Sequence, residues 1–184
     1  MSNLYVMRHG RTDWNAEHRL QGHTDIPLND EGRKMAQRAA EEYKDVHFDV
    51  CYCSPLKRAR QTAEILLEGR DVPIVIDERL KEMAFGIYEG FANCYSFPDC
   101  PMYAFFKHPE AYKAPLGAES MDELFARTGA FLKEVAMPQV EAGKDVLIVG
   151  HGAMNSSIVC QVKKRDLSEF WADPIPNCKL SQLY

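Results

Sequence analysis

The sequence contains no apolar run of the roughly 18 residues that a membrane-spanning helix requires. Its first residues carry no basic stretch followed by an apolar segment, so we expect no secretory signal. The net charge of −5 at pH 7 argues against nucleic acid or an anionic membrane as the main partner. These absences lead us to expect a cytoplasmic protein, and nothing in the sequence indicates an oligomeric state.

Metal-site and disulfide signatures are also absent from the sequence. The six cysteines form no C-x-x-C pair, and we expect them to be reduced thiols. No H-x-H or H-E-x-x-H spacing occurs. At 184 residues, the chain is long enough to bury a hydrophobic core without disulfide bonds or a structural metal.

Short apolar runs alternate with longer segments of helical periodicity. The runs at 3–7, 48–53, 73–77 and 145–150 predict strands. Strands that alternate with helices are typical of an α/β fold. We therefore predict a three-layer sandwich, in which a mostly parallel central sheet has helices on both faces.

Capping signals predict where the helices begin and end. Asn29 is a predicted N-cap, and Ser54 is another because proline follows it. Ser120, with glutamate three residues later, predicts a capping box, and the helix that follows is predicted to end at Pro138. A further helix is predicted from about Ala153.

The segment 91–117 departs from this alternation. It holds seven of the 19 aromatic residues and four of the ten prolines, which is unlike the neighbouring helices and strands. We interpret it as a cap-like insertion that packs over the sheet edge. The sequence therefore predicts one domain over 1–184.

Two of the predicted strands end on a histidine that is followed by glycine. One strand leads into Arg8, His9 and Gly10, and another leads into His151 and Gly152. Open α/β sheets bind ligands outside the carboxyl ends of their strands, so neighbouring strands would make the two histidines face each other. A single such histidine is more often structural, but a pair is harder to explain by packing. The glycines would let backbone N–H groups approach an anion.

Arginines and glutamates are predicted near the same end of the sheet. The stretch SPLKRARQTA places Arg58 and Arg60 in the first turns of a helix, although a surface salt bridge explains Arg58 equally well. The stretch RLKEMAFGIYEG offers Glu78, Glu82 and Glu89 as a proton donor or acceptor. Spacing alone does not decide among the three.

This combination favours a phosphate site over a zinc site. Two arginines would repel a metal ion, whereas they can bind the oxygens of a phosphoryl group. One neutral histidine can attack phosphorus, and a carboxylic acid can protonate the leaving oxygen.

Six stretches resemble the histidine phosphatase superfamily, in its branch of cofactor-independent phosphatases and cofactor-dependent phosphoglycerate mutases. They lie in the family's order and cover most of the chain: RHGRTDWN, QGHTDIPLNDEG, SPLKRARQTAEI, RLKEMAFGIYEG, GAESMDELFART and VLIVGHGAMNSSI. The resemblance implies that His9 becomes phosphohistidine and that Glu82 donates the proton. It also implies that Arg8, Arg58 and His151 bind the phosphoryl group.

Further binding residues follow from the same resemblance. Asn15 is expected to add an amide to the phosphate pocket, and Gln21 and Gly22 to line its entrance. Gly152 is a candidate through its backbone N–H, whereas Arg60 is expected on the surface. Two departures from the family pattern, Arg11 and the stretch AMNSS after His151, are expected to touch the rim of the pocket.

We predict a metal-independent phosphatase that acts on small phosphomonoesters without a cofactor. A phosphoglycerate mutase and a catalytically silent phosphate-binding module remain as alternatives. The insertion offers only Lys107, Lys113 and His108 as cations for a second phosphate group. Its aromatic residues, with Tyr103 and Phe106 as candidates, suit a leaving group that has an apolar or ring-shaped part.

Overall fold

Five strands form one sheet at the centre of the structure, a computed structural model that describes residues 2–184. The spatial order is β3-β2-β4-β1-β5, and only β5 runs antiparallel to its neighbour. The strands are β1 (Leu4–Arg8), β2 (Val50–Cys53), β3 (Ile74–Ile76), β4 (Val146–Gly150) and β5 (Leu180–Gln182). The sequence predicted the first four but not β5.

Seven α-helices surround the sheet within the described part of the chain. They are α1 (Asp13–Ala16), α2 (Asp30–Glu42), α3 (Lys57–Leu66), α4 (Pro101–Lys107), α5 (Met121–Phe131), α6 (Met137–Glu141) and α7 (Gly152–Lys163). None of the helices within residues 2–184 combines the length and apolar character needed to span a bilayer. The cytoplasmic location stays a prediction.

Side chains alternate between the two faces of the sheet, and each face has its own apolar cluster. On one face Val6 and Ile148 pack with Phe131 of α5. On the other face Met7 and Leu147 pack with the alanines of α2 and α3. This arrangement confirms the predicted three-layer α/β architecture.

Three of the predicted helix starts are close to those observed. The side chain of Asn29 accepts a hydrogen bond from an N–H in the first turn of α2, Ser120 forms the predicted capping box, and α7 begins one residue before Ala153. The prediction for Ser54 was wrong, because α3 begins at Lys57 and has no side-chain cap. The Ser54 hydroxyl instead lies in the interior and serves the site described below.

The helix that begins after Ser120 does not end at Pro138, as the sequence predicted. It passes through a π-helical turn, Leu132–Ala136, and continues as α6. Proline cannot donate a backbone hydrogen bond, and its ring clashes with the carbonyl four residues earlier in a regular helix. The wider turn before Pro138 relieves this conflict, so the helix continues.

The segment 91–117 borders the same cavity as Arg8 and His9, which lie at the carboxyl end of β1. Its packing over the sheet edge stays a prediction. Its helix α4 buries Met102 and Phe105 in a third apolar cluster, together with Leu124 of α5 and Ala153 of α7. All six cysteines are free thiols in this structure, and five of them are buried.

Candidate active site

The neighbouring strands β1 and β4 bring the two histidines together. Arg8 pairs with Gly150 in the parallel register, so His9 and His151 follow at the same sheet end. Their ring centres are 5.2 Å apart, and both residues are buried. The predicted meeting of the two histidines is therefore present in the structure.

Hydrogen bonds fix the backbone at His9. Its N–H donates to the Gly150 carbonyl at 2.9 Å, and Asn177 Nδ2 donates to its carbonyl at 2.7 Å. The next residue, Gly10, donates its N–H to Thr62 Oγ1 at 2.9 Å. No sequence pattern indicated Asn177 or Thr62, which hold His9 from distant parts of the chain.

The His9 ring has one nitrogen engaged and one available. Nδ1 lies 2.6 Å from the Gly10 carbonyl oxygen, which can only accept, so Nδ1 carries the hydrogen. Burial, followed by the charges of Arg58 and Arg8, holds the pKa of His9 well below its usual value. The ring is therefore neutral, and its Nε2 carries a lone pair that can act as a nucleophile.

The His151 ring has both nitrogens engaged. Nδ1 accepts from Arg58 Nε at 3.2 Å, which leaves the hydrogen on Nε2, 2.7 Å from Ser54 Oγ. Burial and then the Arg58 charge keep the pKa of His151 well below its usual value. In this geometry His151 holds Arg58 and contacts the His9 ring, and it presents no free N–H to a ligand.

Arg58 lies inside the protein rather than in a surface salt bridge. Its Nη1 donates to the Thr24 carbonyl at 3.0 Å, and its Nη2 donates to the Gly22 carbonyl at 2.8 Å. Burial lowers the pKa of Arg58 to about 10, so the group remains a cation at neutral pH. Arg60, by contrast, is exposed, as expected of a surface residue, and its Nη2 lies 3.7 Å from Glu64 Oε1.

Glu89 anchors the loop that holds Arg58. Its carboxylate accepts hydrogen bonds from the backbone N–H groups of His23 at 2.9 Å and Thr24 at 2.8 Å, and from the Thr24 hydroxyl. Burial raises its pKa, but these bonds outweigh burial and lower it overall. A Cβ on Gly22 would lie 2.1 Å from the Glu89 carboxylate, so glycine is required there. Gly22 thus orients Arg58 and is not among the residues that border the cavity described below.

Glu82 is the one of the three candidate glutamates that borders the cavity. Its carboxylate accepts backbone N–H bonds from Met83 at 2.8 Å, Met154 at 3.0 Å and Ala153 at 3.2 Å. The last two belong to the first turn of α7, so the start of this helix fixes the position of the Glu82 carboxyl group. Glu78 is exposed, and its Oε2 lies 2.7 Å from Lys81 Nζ.

Several hydrogen-bond donors point into the site without a protein partner. Arg8 Nε and Gln21 Nε2 are buried, and neither has a partner within residues 2–184. The Gln21 and Asn15 carbonyl oxygens are both bonded to Thr12, which leaves their NH2 groups for a ligand. Buried polar donors without partners are costly, so the arrangement fits a bound anion.

Gly152 lies close to both the Arg8 guanidinium and the Glu82 carboxylate. A Cβ placed there would lie 3.6 Å from both Arg8 Cζ and Glu82 Oε2, so a side chain would narrow the space between them. Gly10 has a different role, because a Cβ there would lie 2.6 Å from the Gly32 carbonyl oxygen. Its missing side chain serves the contact with α2.

A cavity of about 490 Å³ opens above these residues. Arg11 borders it, whereas only Ala153 of the AMNSS stretch does so. Of the two predicted aromatic candidates, Phe106 borders the cavity and Tyr103 does not. Trp171 also borders it, but it was not predicted because it lies far from 91–117 in the sequence. Within residues 2–184, no three His, Cys, Asp or Glu side chains are arranged to hold a metal ion.

Comparison with known proteins identifies the family that the sequence motifs resemble. A profile of the histidine phosphatase superfamily (branch 1) matches residues 4–184. PhoE of Bacillus subtilis, named as an uncharacterized phosphatase, is 35% identical over 183 residues, which cover 100% of this chain and 88% of PhoE. A 2,3-bisphosphoglycerate-dependent phosphoglycerate mutase 2 of Gloeobacter violaceus is 31% identical over 166 residues, which cover 88% of this chain and 76% of the mutase.

A solved structure extends the similarity to the fold. YhfR of Bacillus stearothermophilus superposes with a TM-score of 0.86 at 32% identity, covering 99% of this chain and 90% of YhfR. The profile match spans nearly the whole chain, from β1 through β5. The chain therefore belongs to the histidine phosphatase superfamily and is an enzyme of that superfamily.

Proposed function

We propose that this enzyme is a phosphatase that hydrolyses small phosphomonoesters through a phosphohistidine at His9. The observation that carries the proposal is the neutral His9 ring, whose Nε2 has no partner within residues 2–184, next to the donors of Arg8 and Gln21 that are likewise unpartnered there. A nucleophile and donors for the charged phosphoryl oxygens are thus already in place. Such preorganisation is the main way in which proteins accelerate phosphoryl transfer.

In the first step, Arg8, Asn15 and Gln21 bind the phosphoryl oxygens. His9 Nε2 attacks phosphorus, the N–P bond forms and the P–O bond to the leaving group breaks. The hydrogen bond from Nδ1 to the Gly10 carbonyl stabilises the positive charge that develops on the ring. Glu82, in its protonated form, gives its proton to the leaving oxygen.

In the second step, water attacks the phosphorus of phosphohistidine. The Glu82 carboxylate accepts a proton from this water, the N–P bond breaks, and inorganic phosphate forms. His9 returns to its neutral state and Glu82 to its protonated state. Arg58 supports both steps through its charge and by fixing His151 against the His9 ring.

The lining of the cavity favours a phosphatase over a phosphoglycerate mutase. Its cationic side chains come from the chain between Arg8 and Arg19, and the part of 91–117 that borders it contributes none within the described residues. Lys107, His108 and Lys113 are not among the lining residues. A second phosphate group beside Tyr95, Phe105 and Phe106 would find no cationic side chain of that segment in the lining, although a bisphosphorylated intermediate requires cationic partners.

The test is to trap the intermediate. The enzyme is mixed briefly with p-nitrophenyl phosphate, quenched in alkali because phosphohistidine is acid-labile, and digested for peptide mapping. We expect phosphate on the peptide that contains His9, none in His9→Ala, and wild-type labelling in His108→Ala, whose histidine is exposed. A parallel reaction with 3-phosphoglycerate should release inorganic phosphate, and conversion to an isomer instead would identify a mutase.

A further inference from the structure

An apolar wall borders the same cavity as the proposed phosphate-binding residues. It includes Tyr95, Phe105 and Phe106 of the segment 91–117, and Trp171 after α7. The cavity volume of about 490 Å³ is within the range of small-molecule binding sites. A phosphoryl group fills only a small part of this volume, so the remainder, next to the wall, is available to the leaving group.

The wall is held in place by its own packing. The Phe105 ring is fully buried and packs edge-on against Phe106 at 5.0 Å and Trp171 at 5.3 Å between ring centres. Trp171 Nε1 donates to the Phe105 carbonyl at 2.8 Å, so its polar atom is satisfied within the protein. Phe106 and Trp171 stack with 17° between their planes. A ligand therefore meets a preformed aromatic surface rather than side chains that must first be ordered.

The wall retains surface for a ligand. Phe106 and Trp171 are only partly buried, and Tyr95 is exposed, although all three border the cavity. The charged lining residues belong to other segments, namely 8–31 and Glu82. An ionised group placed against Phe106 and Trp171 would lose its hydration against two rings that carry no charge.

We propose that this wall is the binding site for an uncharged aromatic leaving group, and that the preferred substrates are aryl phosphomonoesters. The ring lies against Phe106 and Trp171 while the phosphoryl group lies at Arg8 and His9. Hydrolysis by the two steps above then gives a phenol and inorganic phosphate. The inference rests on the proposed function for the position of the phosphoryl group, but it adds the chemical class of the substrate.

The test uses phosphonates, which are not hydrolysed, so binding is measured independently of turnover. The probes are methyl-, phenyl- and 2-naphthylphosphonate, and their dissociation constants are measured by calorimetry. We expect 2-naphthylphosphonate to bind at least about tenfold more tightly than methylphosphonate. The reason is that its two rings become buried against the wall and lose their contact with water. Phe106→Ala and Trp171→Ala should each reduce this advantage about fivefold and leave the affinity for inorganic phosphate unchanged.

Two control variants distinguish loss of the contact between Phe106 and the ligand from unfolding of the protein. Tyr103→Ala removes an aromatic ring from the same helix that does not border the cavity, so the naphthyl-to-methyl ratio should be unchanged. Phe106→Leu keeps an apolar side chain and should give an intermediate ratio if Phe106→Ala does not fold.

The outcomes distinguish the two proposals. Equal affinity for the three phosphonates, or a parallel loss of phosphate affinity in the Phe106 variants, would overturn the aromatic site. A naphthyl preference that depends on Phe106, together with no phosphate release from any ester, would overturn the phosphatase and leave the aromatic site standing.

Discussion

Arg58 Nε donates a hydrogen bond to His151 Nδ1 at 3.2 Å, and this bond sets the tautomer of a fully buried histidine. A guanidinium always donates, so His151 must carry its hydrogen on Nε2, where Ser54 lies at 2.7 Å. The same guanidinium contributes to keeping His9 neutral. One arginine therefore acts on both histidines of the site.

We expect Arg58→Lys to lower kcat/KM for p-nitrophenyl phosphate by about 10²-fold, which is a typical loss of rate when one preorganised donor is removed. Lysine keeps the charge, but its single ammonium cannot reach His151, Gly22 and Thr24 with the geometry of the planar guanidinium. Arg60→Lys, at the exposed neighbouring site, is the matched control and should keep wild-type activity. Activity of Arg58→Lys within twofold of wild type would mean that charge alone suffices.

Glu89 should act through Arg58 rather than on the substrate. We expect Glu89→Gln to raise the inhibition constant of inorganic phosphate by about tenfold, since a neutral amide holds the Thr24 and His23 N–H groups less strongly. The loss of activity should be the same for alkyl and aryl phosphates, because the proposed proton donor is Glu82 and not Glu89. A different loss for the two substrate classes would contradict this positioning role.

Much of this site could be predicted from the sequence because strand ends and capping motifs are local signals. His9 and His151 follow strong apolar strands, and parallel pairing then places them together. The anchors of the site could not be predicted, since Asn177 and Glu89 reach it only through the fold. Strand β5 was missed for a similar reason: only three residues long, it is defined by its pairing with β1.

Proline and serine signals were less reliable than the apolar patterns. The helix after Ser120 continues past Pro138 because a π-helical turn absorbs the missing hydrogen bond. Ser54 resembles a helix cap, but its hydroxyl is bonded to His151 in the interior. For Ser54, the buried contact with His151 overrides the local preference for a helix cap. Trp171, far from the segment 91–117 in the sequence, shows that long-range contacts are not encoded in local patterns.

The two buried histidines predict a loss of stability in mild acid. Burial lowers the pKa of His9 and His151 below the value of about 6.5 that they regain on unfolding. Below pH 6.5 the unfolded chain therefore binds more protons, and the free energy of unfolding should fall by up to about 1.4 kcal/mol per pH unit for each histidine. Urea unfolding at pH 7.5 and 5.5 measures this difference.

His9→Gln should reduce this pH dependence because one depressed histidine is removed. His47→Gln, an exposed histidine, should not change it and serves as the control. An identical pH dependence in wild type and His9→Gln would show that His9 does not remain neutral in the folded protein.

Phosphate release should not depend on a divalent metal ion. In the proposed mechanism, Arg8 and Arg58, together with the amides of Asn15 and Gln21, supply the positive field and donors for the phosphoryl oxygens. We expect activity with p-nitrophenyl phosphate to be the same before and after incubation with excess EDTA. Loss of activity on chelation, restored by added Mg²⁺ or Zn²⁺, would require a metal in the mechanism.

The proposed role of Glu82 as proton donor predicts a dependence on the leaving group. An alkoxide is a poor leaving group unless it is protonated as it departs, and positioned proton transfer is typically worth about 10²–10⁴-fold. Glu82→Gln should therefore slow hydrolysis of an alkyl phosphate by about this factor. With p-nitrophenyl phosphate, whose leaving group is a stable anion, the loss should be much smaller.

The ratio of the two losses is the decisive measurement for Glu82. The glutamine side chain also disturbs the N–H bonds at the start of α7, but this disturbance affects both substrates alike. Glu78→Gln, at an exposed glutamate, is the matched control and should leave both rates unchanged. If Glu82→Gln slows both substrates equally, Glu82 only positions the start of α7, and another group must protonate the leaving oxygen.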